Sequence, residues 1–424
     1  MTHENPSQGL PLNDQTFAEI IEQNLLYVDK TKYIYKMVTS SDNIIMLWRP
    51  SHFGKTLLLK TLKELFSGNS QLFKDLWIGQ SDYEFPKYPV IFLNLDMESS
   101  SPEKTRHSLI EAVKKAASEH NLSVKSDWPA KALEHLIIEL QKKYDSKVVL
   151  LVDDYDGSVL KNIDNQKLAM ENADEITSIL ACLKEPDVTQ ALRFTLITGV
   201  TPYGLNSSEA ESKDLRNITF SSEYAALCGF TVEEFDSTFT DWLPEVLANF
   251  KNKEQVRSSF NLDDLRETII SLYGGYNFNP GDFNNKILCP SAILEMCSCK
   301  LLYYYWYVSF KLDCLGPLIL SKPEYFFWPR LRANSMKDLL ERDLSRASTE
   351  AFLFYNGFFT LMGTGRKLEE KYKDNDLSSY CPIIYFPNKN VSHRYYKLIF
   401  GANFHYIFGI SELCEFFISS IEGR

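Results

Sequence analysis

Arg49-Pro50-Ser51-His52-Phe53-Gly54-Lys55-Thr56 decides the fold. The stretch follows an apolar run, Asn43-Ile44-Ile45-Met46-Leu47-Trp48, and precedes a helix-patterned segment from Leu57 to Phe66. A strand, a loop ending in Gly-Lys-Thr and a helix form the layout in which backbone N–H groups and a helix N-terminus face nucleotide phosphates. Arg49, Pro50, Ser51, His52, Phe53, Gly54, Lys55, Thr56 and Leu57 are then the expected phosphate-binding residues. Lys55 reaches the β and γ oxygens, and the Thr56 hydroxyl ligates Mg²⁺. The usual spacing has a glycine where Arg49 stands, so the loop departs from the common pattern.

Outward from this loop the chain alternates strand and helix. Apolar runs at 43–48, 89–95, 147–152 and 192–198 are separated by helical patterns at about 55–67, 103–119, 130–144 and 165–184. Continuous apolar strands joined by helices predict a parallel sheet covered on both faces, with ligands at the strand carboxyl ends. Residues 1–42 read as a lead-in segment, with Asp29 placed to cap a helix that runs to about Val38. Past about 225 the pattern turns mainly helical, at Thr231–Phe250, Asn261–Leu272, Pro290 to about Val308, Ser335–Leu344 and Ala347–Asn356. Strand-like pieces follow at 357–362 and 382–386, and Gly274 to Gly281 carries a strong loop signal. The expected organisation is a lead-in at 1–42, a nucleotide-binding core at 43–225, a helical second domain at 226–390 and a tail at 391–424.

Two further strand ends point at the loop. Val148 to Val152 closes in Asp153-Asp154-Tyr155-Asp156. A buried strand that ends in carboxylates suits Mg²⁺, with Asp153 as the ligand beside Thr56. Asp154 stands where a base would deprotonate the attacking water, although its side chain is one methylene shorter than the usual Glu. The catalytic set is therefore Lys55, Asp154 and Thr198, with Thr56 and Asp153 on the metal. Thr198, in Leu196-Ile197-Thr198-Gly199, is the first choice for a polar residue between the other two strand ends, and Thr201 is the second. A turn around Gly199 explains the same residues without a nucleotide.

Composition narrows the function. The chain has 424 residues, a net charge of −11 and 44% apolar residues, as in an ordinary globular protein. An acidic balance argues against a protein that coats nucleic acid, and the basic stretch Lys55 to Lys63 reads as a solvated helix face. Eight cysteines follow no zinc spacing, which points to a reducing cytoplasmic compartment. No secretion signal is read at the N-terminus. Leu301 to Leu320 contains Lys311, Asp313 and Pro317, so a buried helix is expected there and no membrane span.

The chain resembles the AAA-ATPase-like family, which often carries a C-terminal PD-(D/E)xK-type nuclease domain. The resemblance runs from about residue 10 to about 390. Its markers are Leu10-Pro-Leu, Tyr27-Val-Asp-Lys-Thr31, Arg49-Pro50 with Phe53-Gly-Lys-Thr56, Asp153 with Tyr155-Asp156, Thr198-Gly-Val200 and Cys228-Gly-Phe-Thr231. Tyr273-x-Gly275-Tyr276-x-Phe278, Pro290-Ser291, Tyr305-Trp306, Tyr355-Asn-Gly357 and Phe386-Pro-Asn388 continue them. The family pattern has arginine where Arg49 stands, two arginines where Ser51 and His52 stand, and Glu where Asp154 stands. It implies an α/β P-loop NTPase of the additional-strand, AAA-like class with a mainly helical second domain, ATP and Mg²⁺ as ligands, and phosphate and metal roles for Gly54, Lys55, Thr56 and Asp153. Only 36 residues follow Asn388, so a nuclease domain is not expected within this sequence.

Two functions fit. One is Mg²⁺-dependent ATP hydrolysis coupled to movement of the helical domain, with an arginine finger from a second copy drawn from Arg193, Arg216 or Arg330. The other is a nucleotide-gated, hydrolysis-poor scaffold that works with a separate nuclease or nucleic-acid-processing protein. Nucleic acid enters by family analogy alone, and no membrane is expected.

Overall fold

The structure is a computed structural model that describes residues 8–12, 15–203, 215–253, 259–284, 286–303, 305, 331–332, 336–365, 381–392 and 395. The described residues up to Gly229, together with Leu340–Ser348, form one compact unit; those from Phe230 on, without that segment, form the other.

In the first unit, helices α1 (Phe17–Glu22) and α2 (Thr31–Thr39) lead into strand β1 (Ile44–Trp48) and helix α3 (Lys55–Phe66). Next come β2 (Val90–Asn94), α4 (Pro102–Glu119), α5 (Pro129–Tyr144), β3 (Val148–Asp153), α6 (Gly157–Leu160), α7 (Gln166–Leu180), α8 (Pro186–Ala191), β4 (Leu192–Gly199) and β5 (Leu215–Asn217). The strands lie in the order β2-β3-β4-β1-β5, and every pairing is parallel. β4 is thus inserted between β1 and β3, the arrangement expected of the additional-strand P-loop fold.

The chain steps one way along the sheet from β1 to β2, then back through β3 to β4. Right-handed crossovers then put α3 on one face and α4, α5, α7 and α8 on the other. The packing agrees: α3 meets α1, while α4, α5, α7 and α8 pack among themselves. β1 and β3 are buried at every position, because sheet neighbours flank them and helices cover them. Each such Val, Leu or Ile contributes about 1.5–3 kcal/mol of burial. The N-cap of α2 is Lys30 and not the expected Asp29, which stands one residue earlier; Asp29 accepts from Thr31 N at 2.7 Å, and its second oxygen accepts from Trp77 N at 2.7 Å.

The second unit combines helices with short strands. Helices Val232–Thr238, Leu243–Lys253, Leu262–Tyr273 and Pro290–Cys299 accompany an antiparallel pair, β6 (Phe230–Thr231) with β7 (Ile287–Leu288). A three-stranded antiparallel sheet has the order β8 (Leu331–Arg332), β10 (Cys381–Tyr385), β9 (Thr360–Gly365). The helical stretch expected from Thr231 to Phe250 is broken by a 3₁₀ turn at Thr240–Trp242. In the glycine-rich loop, Gly275 (φ 88°) lies so close to Pro387 that a Cβ would fall 1.8 Å from its carbonyl oxygen. Two stretches of the chain therefore touch there backbone to backbone. Most of the segment from Leu301 to Leu320 lies outside the described residues, and among those described no helix is long and apolar enough to cross a membrane.

Candidate functional site

β1, β4 and β3 end side by side. Leu47 pairs with Thr198 and Trp48 with Gly199, while Val152 pairs with Ile197. The loop after β1 passes through left-handed backbone at His52 (φ 65°) and Gly54 (φ 92°). Such reversals gather successive N–H groups into an anion-binding concavity. Gly54 is the N-cap of α3, so no side chain caps the helix, and the first turn holds no acidic residue. The orphan N–H groups and the positive end of a twelve-residue helix are left for an anion.

Lys55 begins α3 and is buried, its Nζ donating to the carbonyls of Arg49 at 3.1 Å and Pro50 at 3.2 Å. The ammonium is thereby held back across its own loop. Thr56 follows in the first turn, half-buried. Ser51 is half-buried and His52 exposed at the surface; partial desolvation of the imidazole, then the charge of Lys55, lowers the His52 pKa. Pro50 and Phe53 are buried, and Leu57 is half-buried.

Arg49 requires a correction. It was expected among the phosphate-binding residues, yet its side chain is fully buried and its guanidinium donates to three backbone carbonyls: Trp48 at 2.9 Å, Thr219 at 2.8 Å and Tyr224 at 3.2 Å. With Nη1 and Nη2 turned to main chain, it braces the loop and does not line it.

The carboxylates divide by role. Asp153, the last residue of β3, is fully buried; its Oδ1 accepts from Thr198 Oγ1 at 2.9 Å, while its Oδ2 has no partner. A buried, unpartnered carboxylate oxygen at a strand end is the donor that a hard cation takes. Among the described residues no three His, Cys, Asp or Glu side chains gather as a metal cage. A Mg²⁺ ion here would therefore draw on Asp153, Thr56, phosphate and water, a donor set that fits it. Asp154 sits in left-handed backbone (φ 48°), and burial pushes its carboxyl up to about 6 against the opposing pull of Lys55.

Asp156 has a structural task that the sequence did not single out. It is buried and accepts from Val200 N at 3.0 Å and from Thr201 N and Oγ1, both at 2.6 Å. Tyr155 adds a bond from its hydroxyl to Thr201 O at 2.6 Å. These contacts rivet the turn after β3 to the end of β4. They also separate the two threonines: Thr198 touches Asp153, whereas Thr201 serves the rivet. Gly199 must be glycine, because a Cβ there would lie 2.5 Å from Asp156 Oδ1 and 2.6 Å from the Tyr155 ring.

Two of the three candidates for an arginine finger are engaged within the chain. Arg193 donates to Val38 O at 2.9 Å. Arg216 pairs with Asp42, approaches Glu223 at 3.7 Å and lies over the Tyr224 ring. Arg330 lies outside the described residues.

Comparison with known proteins agrees with this geometry. The chain is 27% identical, over 359 residues, to the "Uncharacterized protein in vnfD 5'region" of Azotobacter chroococcum mcd 1. That match takes in 83% of this chain and 64% of the relative, so the chain spans less than two-thirds of the relative's length. Residues 11–207 match the AAA-ATPase-like family, described as a predicted AAA-ATPase. Those residues, which carry the loop, Asp153 and Thr198, are what the chain shares with the AAA-ATPase-like family.

Proposed function

We propose that the first unit binds ATP with Mg²⁺ at residues 50–57 and hydrolyses it, and that turnover moves the second unit. The reading rests most heavily on one observation: Asp153 stands buried at the strand edge beside the phosphate loop, oriented by Thr198, with one oxygen left unpartnered. When bound, Mg²⁺ would supply charge neutralisation between the phosphate oxygens, held by Thr56 and Asp153. Gly54, Lys55 and the first turn of α3 bind the phosphates through N–H groups and the ammonium. Lys55 exchanges carbonyl acceptors for phosphate oxygens. Asp154 takes a proton from water, and Thr198 keeps the Asp153 carboxylate aimed.

A second reading, a hydrolysis-poor nucleotide switch that serves a nuclease or nucleic-acid-processing partner, draws on Asp154 itself. Its side chain is short, and a displacement of about 1 Å at a catalytic group costs on the order of a hundredfold. Both readings place the protein in the cytoplasm, where Cys182, Cys228, Cys289, Cys297 and Cys299 remain thiols.

Calorimetry with Mg²⁺ and ATP tests the shared core. Wild type is expected to bind, and Lys55→Ala to bind about a hundredfold more weakly through loss of a charge-assisted contact. Equal affinity in the two proteins removes both readings.

A further inference from the structure

Behind the phosphate loop, three distant stretches of chain meet. After β5 the backbone follows β1, with Ile218 N donating to Met46 O at 2.9 Å. Trp48 N donates to Thr219 Oγ1 at 3.0 Å. Arg49 then holds the carbonyls of Thr219 and Tyr224, Lys30 Nζ holds that of Ala226 at 2.9 Å, and Gly229 N donates to Phe53 O at 3.2 Å. Residues 218, 219, 224, 226 and 229 are thus pinned to β1, the loop or Lys30. Two of the pins are buried cations, Arg49 at 0% exposure and Lys30 at 9%. Burying a cation is costly unless its N–H groups find acceptors, so these side chains are strongly committed to the carbonyls they hold.

Each end of this arrangement has somewhere to pass a displacement. In front, Lys55 donates to the carbonyls of Arg49 and Pro50, so a phosphate that draws Lys55 away competes with the residue that forms the main pin. At the far end stands Gly229, in left-handed backbone (φ 99°), and the second unit begins with the next residue. Arg49-Pro50, Tyr27 to Thr31 and Cys228 to Thr231 are spread over about two hundred positions of sequence, and this contact brings parts of all three together.

We propose that Arg49 is a positioning residue that clamps residues 218–229 to the phosphate loop, so that occupation of the loop by a nucleotide is passed to the unit boundary at Gly229. The inference rests on the nucleotide reading above.

Hydrogen exchange of the full chain, with and without Mg²⁺ and a non-hydrolysable ATP analogue, tests it, with binding followed in parallel by calorimetry. In wild type the amides of 218–229 are expected to exchange about tenfold more slowly with the analogue bound. Arg49→Lys keeps the charge but cannot hold three carbonyls in a planar fork. In that variant the slowing is expected to shrink below about twofold, while analogue affinity falls by less than about tenfold. Wild type that binds the analogue with no change at 218–229 overturns the inference alone, as does full slowing in Arg49→Lys. Wild type that binds no analogue overturns the nucleotide reading and the inference with it. If circular dichroism shows Arg49→Lys unfolded, Lys30→Met, which frees Ala226 in the same segment, replaces it with the same two outcomes.

Discussion

Thr198 Oγ1 donates to Asp153 Oδ1 at 2.9 Å, joining the ends of β4 and β3 through two buried side chains. The bond spends one carboxylate oxygen and fixes where the other points. Thr198→Val keeps the shape and removes the donor, so Asp153 would be buried with neither oxygen satisfied. Turnover is expected to fall about tenfold with ATP affinity changed less than about threefold, as for loss of an orienting contact. Thr198→Ser, which restores the hydroxyl, should recover most of the rate. Steady-state kinetics set beside calorimetry separates the two effects.

Gly199→Ala tests the rivet behind the site. The added methyl group meets Asp156 Oδ1 at 2.5 Å and Tyr155 ring atoms at 2.6 and 2.7 Å, all fully buried. Neither neighbour can retreat without losing its bonds to Val200 and Thr201. A loss of about 2 kcal/mol or more is expected, read as a lower denaturation midpoint. An unchanged midpoint would mean that the turn after β3 yields freely.

Asp154 divides the two functional readings. If it is the base and falls short in reach, Asp154→Glu raises turnover about tenfold and Asp154→Asn lowers it by about a hundredfold. Asp154→Asn turning over like wild type would take the base role away from this residue.

Arg216 is tied to Asp42 and Glu223 on its own chain. Arg216→Ala is therefore expected to leave turnover within about twofold and to cost less than about 1 kcal/mol of stability, as for a partly exposed pair. A hundredfold loss of turnover, measured at protein concentrations where copies associate, would instead make it an arginine finger.

The architecture was legible where burial writes itself into composition. β1, β3 and β4 are apolar runs because sheet and helices enclose them, and the alternation with helices gave the parallel sheet. β5 was not legible: Leu215-Arg216-Asn217 is three half-buried residues at a sheet edge, held by pairing to β1 and by no apolar pattern. β6, β7 and β8 escaped for the same reason, two residues each being too few to show a period of two, whereas β9 and β10 overlap the strand-like pieces read at 357–362 and 382–386. At the site, the position of Lys55 at the start of α3 and of Asp153 and Thr198 at strand ends was legible in the sequence. The burial of Arg49 did not, because its acceptors are main-chain carbonyls at 219 and 224, and no residue type marks a carbonyl. Asp156 was hidden likewise: two of its three donors are N–H groups of the backbone.

The central claim is that the loop ending in Gly54-Lys55-Thr56 works with Asp153 to turn over ATP. Steady-state phosphate release by wild type and Lys55→Ala, each with Mg²⁺ and with the metal chelated, tests it most directly. The account predicts turnover in wild type that requires Mg²⁺ and falls at least about a hundredfold in Lys55→Ala. Turnover in wild type that survives chelation, or that Lys55→Ala retains in full, would contradict it.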